Sequence, residues 1–300
     1  MRPLSPTLGT VSLLLLLLAG SGCASRPSQP ADAPLLRITI ADTGWADARP
    51  GDVHAVVNSA AEALLALVPR HRPLTIHVSN GHSGPKVFRN KNARGQYRVQ
   101  LAVSGRYWAQ LAYQFSHELC HVLSNFDART ARGASTRWFD EALCEAVSLH
   151  TLTRMAERWA YAPPFPNWAA YHGALEAYAR RVLAMHEVSQ PTDGGFGAWF
   201  AAHEPRLRAH PYERALTGVI AQRLYQVIAA HPHALAAITH LHPGSPPQGN
   251  DLATLLAQWH ARVPTEQQAF VQGIAEVLEI RIAVARGGPG MPPQENRGGP

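Results

Sequence analysis

Residues 107–124 read as one long, largely apolar helix, and His117-Glu118-Leu119-Cys120-His121 sits inside it. Four residues is just over one helical turn, so both imidazoles leave the helix from one face. Such a pair offers two nitrogen ligands to a tetrahedral zinc ion. Glu118 stands beside them, placed to take a proton from a water on the metal. With 16 His in the chain, chance predicts roughly 0.04 matches to this H-E-x-x-H pattern. The context agrees: the helix is apolar around the motif, with Phe115, Leu119, Val122 and Leu123 as core positions, and a strongly alternating segment precedes it.

The surrounding chain alternates strand and helix patterns before the motif and turns helical after it. Residues 35–41, 74–78 and 96–104 alternate as strands, and residues 52–68 are rich in Ala, Leu and Val at helical spacing. A polar loop over 125–135 leads to a helix from 136 or 137 to about 158. Further helices are expected over 167–186, 212–230, 251–262 and 265 to about 285, broken by Pro and Gly clusters. The expected class is α+β: a small N-terminal mixed sheet with helices over 35–126, ending in the motif helix, then a mostly helical part over 127–286. Residues 287–300 are Gly- and Pro-rich and read as a disordered tail. At 46% hydrophobic residues the chain can bury a core, and three cysteines exclude a disulfide scaffold. Net charge is +6, and Lys86 and Lys91 are the only lysines. The arginines are scattered and no nucleic-acid motif accompanies them, so a nucleic-acid partner is not expected.

The N-terminus reads as an address. Arg2, the six leucines 13–18 and the small residues 19–22 lead to Cys23, the pattern of an export signal over residues 1–22. Its apolar run is too short to span a bilayer. Small residues before a cysteine resemble a bacterial lipobox, which implies lipidation at Cys23 and a flexible tether over 23–34. The expected location is the cell envelope, membrane-anchored and facing the periplasm or exterior; plain secretion is the alternative.

A catalytic zinc needs three protein ligands and an open position. The motif, followed by Trp138-Phe139-Asp140-Glu141-Ala142-Leu143-Cys144-Glu145, resembles the gluzincin metallopeptidases, zincins whose third ligand is a Glu on a second helix. Nineteen residues separate His121 from Glu141, a spacing similar to the thermolysin pattern. The resemblance implies a zincin-like fold with Glu141 as third ligand, and Glu145 as its substitute. It also implies that Glu145, one turn later, steadies a ligand histidine, with Asp140 standing where the family carries Asn. The segment His210-Pro211-Tyr212-Glu213-Arg214 resembles that of aminopeptidase N relatives, whose Tyr donates to the oxyanion. Tyr212 takes that role by resemblance, with Tyr171 and His172 as competitors. In such folds an edge strand pairs with an extended substrate; strand 97–103 or its neighbour is the candidate, an interior position the alternative. No G-x-M-E-N segment is present, which leaves exopeptidase action without its usual amine anchor.

Cys120 and Cys144 lie beside the ligands on helices that must meet at the metal. They are a candidate disulfide in an exported protein, or else two small buried hydrophobes. His231, His233, His240 and His242 read as surface or core histidines. The expected activity is hydrolysis of a peptide bond in a peptide or protein substrate, with one Zn2+ per chain and Glu118 as general base. Two alternatives stand beside it: a catalytically inactive envelope lipoprotein that binds peptides, and a hydrolase of a non-peptide amide.

Overall fold

The computed structural model describes residues 35–69, 72–128, 135–188, 190–191, 195–242 and 251–282, without the side chain of Val188. The leader, Cys23, the tether and the tail at 287–300 lie outside the described residues. The described residues, which begin at Leu35, form one compact unit.

The order is β1 (Leu36–Ile40), α1 (Pro50–Leu65), β2 (Leu74–Asn80), β3 (Lys86–Phe88), β4 (Tyr97–Leu101) and α2 (Trp108–Leu123). There follow α3 (Arg137–Trp159), α4 (His172–Val188), α5 (Gly195–Ala209), α6 (Arg214–Ala230), α7 (Leu252–Arg262) and α8 (Thr265–Val277). Short 3-10 turns over Pro166–Tyr171 and Pro232–His240 join the later helices. The class is α+β and mostly helical, with one small sheet.

That sheet runs β1-β2-β4-β3. β1, β2 and β4 are parallel, and β3 returns antiparallel to β4 with Val87 opposite Val99. A parallel pair needs a crossover, and α1 supplies it between β1 and β2. Pro50 opens α1 where the missing N–H costs nothing, and Asp52 suits the helix dipole. Leu74, Ile76 and Val78 alternate inward and meet Val53, Val56, Val57, Ala60, Ala61 and Leu64 in one hydrophobic core.

One strand and one α-helix were not anticipated, nor was the 3-10 segment Pro232–His240. β3 has three residues, too few to display alternation, yet it takes the sheet edge. This places β4 in the interior and makes its neighbour the edge strand. α5 carries Gly195, Gly197 and Pro205 and buries only Phe196 and Leu207, so its pattern was weak. Several boundaries also differ: α1 spans Pro50–Leu65 rather than 52–68, β4 spans Tyr97–Leu101 rather than 96–104, and α4 starts at His172 rather than 167. Tyr212 lies in the turn before α6, which starts at Arg214. α8 stops at Val277 rather than running to about 285, because Glu279 takes a left-handed φ of 54°.

α2 and α3 position the site. All of α2 except Gln110 and His117 is buried, which makes it a core helix on every face. The Gln114 carboxamide binds both backbone groups of Ala102, accepting from N at 2.8 Å and donating to O at 3.1 Å. That bond fixes α2 against the end of β4. Asn125, at φ 58°, ends the helix in the left-handed conformation that Asn tolerates. α3, 23 residues long, packs against α1, α2, α4 and α6.

Candidate metal centre

His117 and His121 project from α2 toward Glu141 on α3. The His117 and His121 Nε2 atoms are 3.2 Å apart, Glu141 Oε2 is 3.2 Å from His117 Nε2, and it is 3.5 Å from His121 Nε2. Ligands held at 2.0–2.1 Å around a tetrahedral ion stand about 3.3–3.4 Å from one another. The three atoms thus have the spacing of three corners of such a site, with the fourth corner toward the cleft. Two imidazole nitrogens and a carboxylate are a donor set that suits zinc. This is the one group of three such ligands among the described residues.

Glu118 is buried beside them and faces the cleft. The backbone N–H of Val87, on edge strand β3, donates to its carboxylate. Burial raises the Glu118 carboxyl above its usual range, and the neighbouring imidazoles offset part of that rise. For His117, burial favours the neutral ring, but its hydrogen bond to the Glu141 carboxylate and the charges of Glu118, Glu141 and Glu145 prevail and lift it from 6.5 to about 9. Burial opposes ionisation of Glu141, yet His121 and His117 hold it well below the carboxylate range.

Cys120 and Cys144 form a disulfide across the two ligand helices, with Cα atoms 5.4 Å apart. Cys144 Sγ also lies 3.5 Å from His121 Nδ1. The ligands of α2 and α3 are therefore joined covalently as well as by packing.

Glu145 stands 3.9 Å from His117 Nδ1, beyond hydrogen-bond reach. Its direct partners are His186 Nε2 at 3.0 Å and Arg214 at 3.0 and 3.3 Å, with Tyr113 donating as well. Burial raises its carboxyl, but those partners bring it down to about 2. It is the centre of a buried polar network behind the ligands. Gly218 makes room for His186: a Cβ there would come within 2.3 Å of the imidazole. Asp140 pairs with His242 at 3.1 Å, both buried, and neither ligand imidazole bonds to it. His242 is thus a core histidine that does have a carboxylate. His231 and His233 are exposed and His240 is half-buried.

The cleft above the ligands has a volume of about 400 Å³, within the range of small-ligand sites. Tyr212 lines it and is 62% exposed; its hydroxyl accepts a hydrogen bond from Arg137 at 2.9 Å, which leaves its own proton free for the cleft. Tyr171 sits in a separate depression with Arg106 and Trp168, and His172 does not line the cleft. Residues the sequence reading missed include Tyr113, Arg137, Tyr178, His186 and Arg214. Tyr113 stands four residues before His117 and Arg137 four before Glu141, so helical spacing already put each on a ligand's face. His186 and Arg214 arrive from α4 and α6 by tertiary packing and left no local mark.

No helix among the described residues is long and apolar enough to cross a membrane. Compared with known protein families, with curated proteins and with solved structures, the chain finds no match.

Proposed function

We propose that the protein is a zinc-dependent peptidase of gluzincin type, with His117, His121 and Glu141 as ligands. The observation that carries this reading is the convergence of the two Nε2 atoms and Oε2 at tetrahedral spacing, with Glu118 alongside. A bound zinc ion supplies a water acidic enough to lose its proton near neutral pH, and an electrophile for a carbonyl oxygen. Glu118 accepts the proton from the attacking water and delivers it to the leaving amine. Its buried setting raises its basicity toward that task. Tyr212, steadied by Arg137, donates to the carbonyl oxygen as charge develops there. β3, at the sheet edge beside the cleft, offers its outer backbone to an extended substrate. The arrangement supports a zincin-like fold for the sheet and the two ligand helices. The sequence of residues 1–34 supports export and a lipid anchor at Cys23.

Metal content and peptide hydrolysis of three proteins test the reading. Wild type is expected to hold one zinc per chain and to cleave peptides. Glu141→Ala loses the metal. Glu118→Gln keeps it but loses at least ~100-fold in kcat, the lower bound for a general base. Folded wild-type protein without zinc overturns the reading, as does full hydrolysis by Glu118→Gln. Zinc bound with no hydrolysis by wild type points instead to a peptide-binding lipoprotein.

A further inference from the structure

The cleft divides by charge. Its carboxylates, Glu118, Glu141 and Glu145, lie deep, and each is already engaged: Glu118 by Val87 N–H, Glu141 by the two imidazoles, Glu145 by His186 and Arg214. Its cations are Lys86, Arg89, Arg137 and Arg214, and none of the remaining lining residues is acidic. Arg214 is taken by Glu145. Arg137 and Lys86 are not so balanced. Arg137 bonds to the Tyr212 hydroxyl, and Lys86 to the Ser83 hydroxyl at 2.9 Å; neither pairs with a carboxylate among the described residues.

Their positions flank the reacting groups. Arg137 stands one helical turn before Glu141 on α3. Lys86 adjoins Val87, whose N–H holds Glu118. The two cations thus approach from the helical wall and from the edge-strand wall. Beyond Arg137 and Tyr212 the surface continues into an open depression where Arg206 is balanced by Glu213 and Arg208 by Glu204, so the unbalanced charge lies at Arg137 and Lys86. A divalent ion on the three ligands adds two further positive charges at the floor. A neutral or basic peptide entering here takes water from one guanidinium and one ammonium group and returns only neutral carbonyl acceptors to them. A carboxylate returns a charge-assisted bond in a partly desolvated cleft, where it is strongest.

We propose that the cleft selects peptides carrying a carboxylate next to the bond to be cut, with Arg137 as the main residue that reads it and Lys86 adding to the field. What happens to the peptide afterwards rests on the peptidase reading; what the cleft prefers to bind does not. The carboxylate can come from an Asp or Glu side chain or from a free C-terminus.

The test uses three labelled hexapeptides of one apolar sequence: a central Glu with an amidated end, a central Gln with an amidated end, and a central Gln with a free C-terminal carboxylate. Binding to full-length Glu118→Gln is measured by fluorescence anisotropy, with zinc and again in chelator. The Glu peptide is expected to bind about tenfold tighter than its Gln amide, the size of one charge-assisted bond. The ratio should survive chelation, shrink in 0.5 M salt, and fall to about twofold or less in Arg137→Gln. Lys86→Gln, at a more exposed site, should reduce it by a smaller factor and covers the case in which Arg137→Gln does not fold. A gain only for the free C-terminus assigns the carboxylate to the chain end. Equal binding of all three peptides overturns the proposal, and so does the absence of measurable binding. Failure of the two readings separates cleanly. Wild type cutting Gln and Glu peptides equally well keeps the peptidase and removes the selectivity. A Glu preference in binding with no cleavage by wild type does the reverse.

Discussion

His150 sits on α3 facing Tyr225, with ring centroids 6.3 Å apart and both ring nitrogens buried without a hydrogen-bond partner. Burial, helped by the Arg154 charge, lowers its pKa from 6.5 to about 4. The sign follows directly. Between those two values the folded chain holds the ring neutral while the unfolded chain protonates it, so stability falls as pH drops through that window. At pH 4.5 the loss is on the order of 2–3 kcal/mol. His150→Leu removes both the proton site and the unpaired nitrogens. Urea unfolding in chelator at pH 7.5 and pH 4.5 should show the variant losing on the order of 2–3 kcal/mol less than wild type over that interval. Parallel losses in the two proteins would refute this account. Gly218 makes the complementary point: its missing side chain is the space that His186 occupies on its way to Glu145.

At the scale of elements, the candidate metal site is a contact between two helices, and the Cys120–Cys144 bridge ties them together at a sequence separation of 24. Constraint of the unfolded chain by a loop of that size is worth about 3 kcal/mol. The Cys120→Ala, Cys144→Ala double variant should therefore unfold with about 3 kcal/mol less stability in denaturant. A midpoint equal to that of oxidised wild type would show that the bridge contributes nothing. The pairing of α2 with α3 was readable in advance because both carry dense local patterns. The H-E-x-x-H period places two imidazoles on one face, and the gluzincin resemblance implies a Glu on the next helix, Glu141, which the structure brings within 3.2 Å of His117. What brings Arg214 and His186 to Glu145 is different: each depends on how α6 and α4 cross α3, which no local period encodes. β3 escaped for a simpler reason. Three residues show no alternation, and Lys86–Phe88 becomes a strand because β4 offers it an open edge. The backbone N–H that meets Glu118 comes from this element, so the least legible strand adjoins the candidate site.

Across the described residues, the sheet layer and the helical layer share one hydrophobic core, and α2 touches both. A metal on His117, His121 and Glu141 is held only while α2 and α3 are folded and packed together. Since those helices belong to the common core, metal binding is coupled to folding of the entire compact unit rather than to a local loop. Zinc at 100 times its Kd should then add about 2.7 kcal/mol. For a unit of this size that moves Tm by roughly 5–10 °C. Calorimetry of wild type should show one transition that chelator shifts downward as a whole, while Glu141→Ala melts at the same temperature with or without chelator. Two transitions, only one of them metal-sensitive, would mean that the layers fold separately. A wild-type transition indifferent to zinc would mean that the three converging atoms bind no metal.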